Sequence, residues 1–262
     1  MIGLYFSGTG NSRRAAERFC GECGCTKVLS IEDPAINEAI AQEDEIVFAY
    51  PVQFSSVPKY VRDFIGANGE LWKGKKVFVI ATMGLFSGDG AGILGRLLRR
   101  RGAVITGGLH LKMPDSIADA KALKRPLEAN IRLVAEADEK IKRAAALYRS
   151  GRPTREGLGF AYHMAGLFGQ RLYFYRKTLR YTDKARIDAA KCVGCGKCVP
   201  ECPLGNLRIE GDKCVPGKKC TMCYRCVNLC PRQAITILGR RVVEQGSIEK
   251  YLPGGDTADK VR

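Results

Sequence analysis

Two copies of one cysteine pattern constrain this chain more than any other feature: Cys192-x-x-Cys195-x-x-Cys198-x-x-x-Cys202-Pro203 and Cys220-x-x-Cys223-x-x-Cys226-x-x-x-Cys230-Pro231. Such close spacing wraps a short loop around a metal centre, and the proline after the last thiol can neither continue a helix nor donate an amide hydrogen bond. The spacing suits iron–sulfur cubes, each of which takes four thiolates. Zinc is the rival, because Cys-x-x-Cys pairs also bind it, but zinc sites use two pairs set further apart. A disulfide framework fits less well, since 262 residues bury a sizeable core without staples.

With 45% hydrophobic and 27% charged residues, the chain reads as globular, and its length suits two modest domains. It opens on the apolar run Ile2–Phe6 with no basic leader, so no export signal is expected. The longest apolar stretch, Leu158–Tyr175, is interrupted by His163, Gln170 and Arg171 and falls short of a spanning helix. Twelve cysteines call for a reducing, oxygen-poor cytoplasm. The formal charge of +16 is uneven: Lys and Arg against Asp and Glu number 14 and 13 in residues 1–120, 16 and 7 in 121–190, and 13 and 7 in 191–262. This surplus suits steering toward an acidic partner, with an anionic membrane surface or nucleic acid as weaker candidates.

The first strand runs into Ser7-Gly8-Thr9-Gly10-Asn11-Ser12 and then the helix-like Arg13–Phe19. Strand, Gly- and hydroxyl-rich loop and helix together aim backbone amides and a positive helix end at one point, which suits a phosphate. A Walker loop would end in Gly-Lys-Ser/Thr, and a dinucleotide fingerprint would carry a third glycine where Arg13 stands. Short apolar runs at Lys27–Ile31, Glu45–Tyr50, Lys76–Thr82 and Val104–Leu111 read as further strands, with helical patterns between them. That alternation predicts a parallel, doubly wound α/β sheet.

The loop resembles the phosphate loop of flavodoxins, which Ser7, Thr9, Asn11 and Ser12 match. The resemblance implies FMN, bound by Ser7, Gly8, Thr9, Gly10, Asn11 and Ser12. It also implies that the loops after the third and fourth strands flank the flavin ring, which brings in Pro51, Val52, Phe54, Thr82, Met83, Gly84 and Phe86. Tyr50 fits core packing as well as ring contact.

The doubled cysteine run resembles two-cluster bacterial-type ferredoxins. There the fourth cysteine of each run ligates the other cube. This implies one 4Fe–4S cluster on Cys192, Cys195, Cys198 and Cys230, and a second on Cys220, Cys223, Cys226 and Cys202. The chain as a whole resembles the EFR1-type ferredoxins, in which a flavodoxin-like domain is fused to a small α+β two-cluster ferredoxin domain. The expected division is a flavodoxin-like domain at 1–150, a basic aromatic connector at 151–186, a ferredoxin domain at 187–240 and a C-terminal tail at 241–262, loose from Gly246 onward.

In the connector, Phe160, Tyr162, Leu167, Phe168, Leu172, Tyr173, Phe174 and Tyr175 alternate with Arg171, Arg176, Lys177 and Arg180. An amphipathic helix packing the two domains together is favoured over a membrane- or nucleic-acid-binding surface. His110 and His163 read as structural, and Cys20, Cys23, Cys25 and Cys214 as free thiols. The functional expectation is an electron carrier passing single electrons between its clusters, FMN and a redox partner protein. Two alternatives stay open: an FMN-dependent reductase fed by the clusters, and a non-redox binding or sensing module with structural clusters.

Overall fold

Buried β-branched and aromatic runs alternate with helices, and the chain winds them into one parallel sheet. The computed structural model describes residues 1–174 and 181–254. Its main sheet contains β1 (Ile2–Tyr5), β2 (Lys27–Ser30), β3 (Glu45–Pro51), β4 (Lys76–Met83) and β5 (Val104–Lys112), in the order β2-β1-β3-β4-β5. All pairings are parallel, with Ile2 opposite both Lys27 and Ile46, and Glu45 opposite Lys76. The middle of β3 and nearly all of β4 are buried, as central strands are when helices cover both faces. Helices α1 (Asn11–Cys23) and α5 (Leu127–Arg149) cover one face, where Phe19 stacks on Phe78 with ring centroids 4.6 Å apart. Helices α2 (Ile36–Gln42), α3 (Lys59–Ala67) and α4 (Gly90–Arg99) cover the other, with Ile40, Val61, Leu94 and Trp72 in its core. This is the flavodoxin-like order that the sequence predicts. It reverses between β1 and β3, where such sheets open a ligand crevice.

The cysteine-rich segment is built from small pieces. β6 (Arg186–Ile187) pairs antiparallel with β9 (Ile235–Thr236), and β7 (Leu207–Glu210) forms a hairpin with β8 (Lys213–Pro216). A one-turn helix, Arg225–Leu229, lies inside the second cysteine run. Leu207, Val227, Ile235 and Ile237 make its core together with the cysteines, an α+β arrangement as expected.

The connector differs from its expected packing. Residues 154–156 run along β5, with Thr154 O accepting from Gly108 N and Glu156 N donating to Gly108 O. Helix α6 (Phe160–Gly166) and a π-helical turn, Leu167–Arg171, follow. Gly166 and Arg171 face inward, whereas Phe160 is 78% exposed and Phe168 67% exposed. The inward side is set by charge, not by apolar periodicity. Arg171 reaches the wholly buried Asp89, which also pairs with Arg96 and with His163 Nδ1 at 3.0 Å. Tyr175, Arg176, Lys177 and Arg180 lie outside the described residues.

The expected loose tail is corrected for residues 246–254. Ile248 and Tyr251, in a 3₁₀ turn, are buried against the α1/α5 side of the sheet, and Ile248 N donates to Thr9 O at 2.8 Å. Its apolar contribution is only two buried side chains three residues apart, which is too little for composition to reveal. Residues 255–262 lie outside the description. Among the described residues no helix is long and apolar enough to cross a membrane.

Candidate cofactor sites

Gly10, at φ 91°, turns the chain from β1 into α1, a conformation that glycine adopts without penalty. Ser7 Oγ accepts from Gly10 N at 3.1 Å and closes the loop. Ser12 Oγ and Thr82 Oγ1 share a hydrogen bond of 2.8 Å, which ties the loop to the end of β4. The first turn of α1 has no acidic residue, so its positive end is uncompensated. Asn11 Nδ2 donates to Pro114 O at 2.7 Å, while Asn11 Oδ1 is buried without a partner. A ligand hydroxyl would satisfy that acceptor, and the loop amides suit a phosphate. These groups fit a phosphorylated polyol cofactor such as FMN.

From this loop a cavity of about 210 Å³ runs along the carboxyl ends of β3 and β4. Ser7, Gly8, Thr9, Asn11 and Ser12 line it, as do Pro51, Val52, Phe54, Thr82, Met83, Gly84 and Phe86. Gly10 faces instead a groove on the other side of the loop, where Ile248 packs over it. Both arginines of that groove are already paired, Arg225 with Glu32 at 2.7 Å and Arg13 with Glu249. Tyr50 is core: it is wholly buried, and its hydroxyl donates to Gly90 O at 2.6 Å. Phe54 has left-handed backbone (φ 49°), and its ring stacks on Phe174 at 4.7 Å.

The sequence reading missed one wall. Asp115, Ser116 and Ile117, just beyond β5, line the cavity with Met222, Cys223 and Tyr224 from the second cysteine run. A side chain at Gly84 would collide with the Asp115 carboxylate, and burial raises that carboxyl above its ordinary value. The signal for residues 115–117 was available, because ligands of such sheets sit beyond every strand near the reversal. No sequence signal marks Met222 or Tyr224.

The crossed pattern divides the eight cysteines of the runs into two sets. Cys192, Cys195, Cys198 and Cys230 line one cavity. In the other set, burial drives the Cys226 thiol well above its ordinary range, and Cys223, Cys220 and Cys202, together with Cys198 of the first set, add to the rise. Thiols crowded in this way resist ionisation unless positive charge is placed among them, which an iron cube supplies. Backbone amides also aim at the sulfurs: Cys214 N at Cys192 (3.3 Å), Asn206 N at Cys202 (3.2 Å), Met222 N at Cys220 (3.3 Å) and Ala234 N at Cys230 (3.3 Å). The donor set thus fits cubes with four thiolates each. Among the described residues no group of three or more His, Cys, Asp or Glu is drawn in tightly enough for a lone metal ion.

The two sites share a wall. Cys223 lines the β3–β4 cavity, and a side chain at Gly8 would collide with the Cys223 carbonyl. Gln53 Nε2 donates to Thr221 O and Met222 O at 3.1 Å each, and Arg225 reaches Ser7 O at 2.8 Å. Arg225 therefore clamps the two parts together and is not the free surface charge that its position beside the cysteines suggests.

Residues 185–208, which contain the first cysteine run, match the 4Fe-4S binding domain family (Fer4). No curated protein matches the chain. Similar solved structures include two-electron reduced flavodoxin from Megasphaera elsdenii, at 22% identity over 56% of this chain and 98% of that one, with a TM-score of 0.40. Oxidised flavodoxin 2 from Bacillus cereus is 19% identical over 57% and 97%, with a TM-score of 0.42. Trp repressor binding protein from Bacillus subtilis is 18% identical over 55% and 96%, with a TM-score of 0.41. By its own strand order and the matched segment, the chain joins a flavodoxin-like sheet to an iron–sulfur domain.

Proposed function

We propose that this chain is an electron-transfer protein of the EFR1 type, carrying FMN in the β3–β4 cavity and two 4Fe–4S clusters on the crossed cysteine sets. The observation that carries this reading is the shared wall: Cys223 belongs both to a cysteine set and to the lining of the cavity. Flavin takes up one or two electrons and each cube passes one, so the pair links two-electron with one-electron traffic. The chain's own part is to hold and shield. Ser7–Ser12 anchor the phosphate end, Asn11 Oδ1 takes a hydroxyl, and Gly8 lets the Cys223 backbone come close.

A carrier is favoured over a reductase with its own organic substrate. Phe54, fixed between Phe174 and Tyr181, lines the cavity on the side from which such a substrate would stack. The proposed division follows the same organisation, with the sheet in residues 1–150 and the clusters in 187–240. The twelve cysteines, all free, suit a reducing cytoplasm.

Anaerobic purification followed by iron and flavin analysis tests the assignment. About eight irons and one FMN per chain are expected. Zinc in place of iron, or FAD in place of FMN, would sink it. Thr9→Ala is expected to weaken FMN binding about ten- to hundredfold, the worth of a hydrogen bond to a charged group, as read by titrating FMN into flavin-depleted protein. Unchanged affinity would move the phosphate elsewhere.

The partner is proposed to be an acidic redox protein. Lys197, Lys218, Lys219 and Arg232 are exposed beside the cysteine runs, with Cys195 exposed among them. Electron transfer with such a partner is expected to slow as salt rises, because screening shortens the reach of surface charge to about 8 Å at physiological ionic strength. Lys218→Glu with Lys219→Glu should lower the bimolecular rate and spare transfer within the chain. Rates flat with salt would place docking elsewhere.

A further inference from the structure

Cys214 belongs to neither cysteine run, yet it lies among the first set. It sits on β8 opposite Ile209 of β7, is 5% exposed, and lines the same cavity as Cys192, Cys195, Cys198 and Cys230. Its backbone N donates to Cys192 Sγ at 3.3 Å, and its own Sγ lies 3.5 Å from Cys198 Sγ. One residue therefore touches two ligand sulfurs of a single set. The other three cysteines outside the runs, Cys20, Cys23 and Cys25, pack at the far end of α1, away from both cysteine runs.

A cysteine bound to iron is a thiolate and has no proton to give, so in the Cys198–Cys214 contact the donor must be the Cys214 S–H. Adding an electron to a cube increases the negative charge on its sulfurs, and a donor dipole aimed at one of them stabilises the reduced form more than the oxidised form. Burial strengthens the effect, because little water competes for the sulfur. Resting on the cluster reading above, we propose that Cys214 is a positioning residue that raises the reduction potential of the Cys192/Cys195/Cys198/Cys230 cluster by donating its S–H to Cys198. It leaves the other cluster untouched, so the two cubes become unequal although their cysteine spacing is identical.

The test is a reductive titration of anaerobically prepared protein followed by electron paramagnetic resonance, with iron measured on the same samples. Wild-type protein holding well under about eight irons would sink the cluster reading itself, independently of Cys214. Given full iron, Cys214→Ala should keep that content while one of the two cluster signals moves to more negative potential and the other stays in place. Cys214→Ser retains a hydroxyl donor and should restore most of the shift, whereas Cys214→Val, which fills the space without a donor, should behave as alanine does. An unmoved potential, equal movement of both signals, or a serine variant indistinguishable from alanine would overturn the proposal. So would loss of about four irons in all three variants, which would make Cys214 a holding residue instead.

Discussion

Cys202→Ala is expected to cut the iron of anaerobically prepared protein from about eight atoms per chain to about four, the largest effect of any single substitution considered. The lost cluster should be the one that Cys226→Ala also removes, and the surviving spectrum should be the same in both variants. Cys230→Ala should give the opposite survivor, shared with Cys192→Ala. This pairing separates crossed from uncrossed ligation, because an uncrossed arrangement would group Cys202 with Cys192 and Cys230 with Cys226. Cys230 lines one cavity with Cys192, Cys195, Cys198 and Cys214. On the proposed reading, flavin reduction through the clusters should fail in Cys202→Ala and Cys226→Ala, because the cluster assigned to that set includes Cys223, which lines the β3–β4 cavity.

Asp89→Ala is expected to destabilise the protein by about 3–5 kcal/mol, the cost of leaving a buried partner charge without its counter-ion. Asp89 is wholly buried, and Arg171, itself mostly buried, depends on it. Chemical denaturation would measure the loss, and a change under about 1 kcal/mol would show the cluster to be solvated. Asp89→Ala combined with Arg171→Met should recover much of the loss, since buried ion pairs are often no better than well-packed apolar replacements. The pH dependence follows from the same contacts. Burial alone would raise the Asp89 carboxyl, but Arg96, His163 and Arg171 hold it below its ordinary value. Its contribution is therefore complete above the ordinary carboxyl range near about 3.9 and is lost as pH falls through the lowered value.

Periodicity and punctuation made much of this molecule legible before any coordinates. The strands at Glu45–Pro51 and Lys76–Met83 declare themselves because a strand buried on both faces has no polar positions to disguise it. The cysteine runs are legible because metal ligation tolerates so few spacings. Other features were hidden because their causes are not periodic. Arg171 turns inward while Phe160 and Phe168 turn out, since one buried aspartate outweighs the apolar pattern of the connector. Residues 246–254 bury only Ile248 and Tyr251, too few apolar positions to show as a pattern. Cys214 looks like a stray thiol in sequence and gains its neighbours only when the β7–β8 hairpin folds it beside Cys198.

The phosphate loop lies within the first twelve residues, yet it is closed over by residues more than two hundred positions later: Cys223 against Gly8, Arg225 on Ser7 O, and Ile248 N on Thr9 O. The loop is therefore synthesised long before the residues that close over it. A nascent sheet emerging from the ribosome carries a loop exposed on the side that those residues later cover. On the proposed reading, flavin bound at that stage would sit in an open cradle, and flavin bound after residues 223–248 have folded over the loop would sit in a closed one.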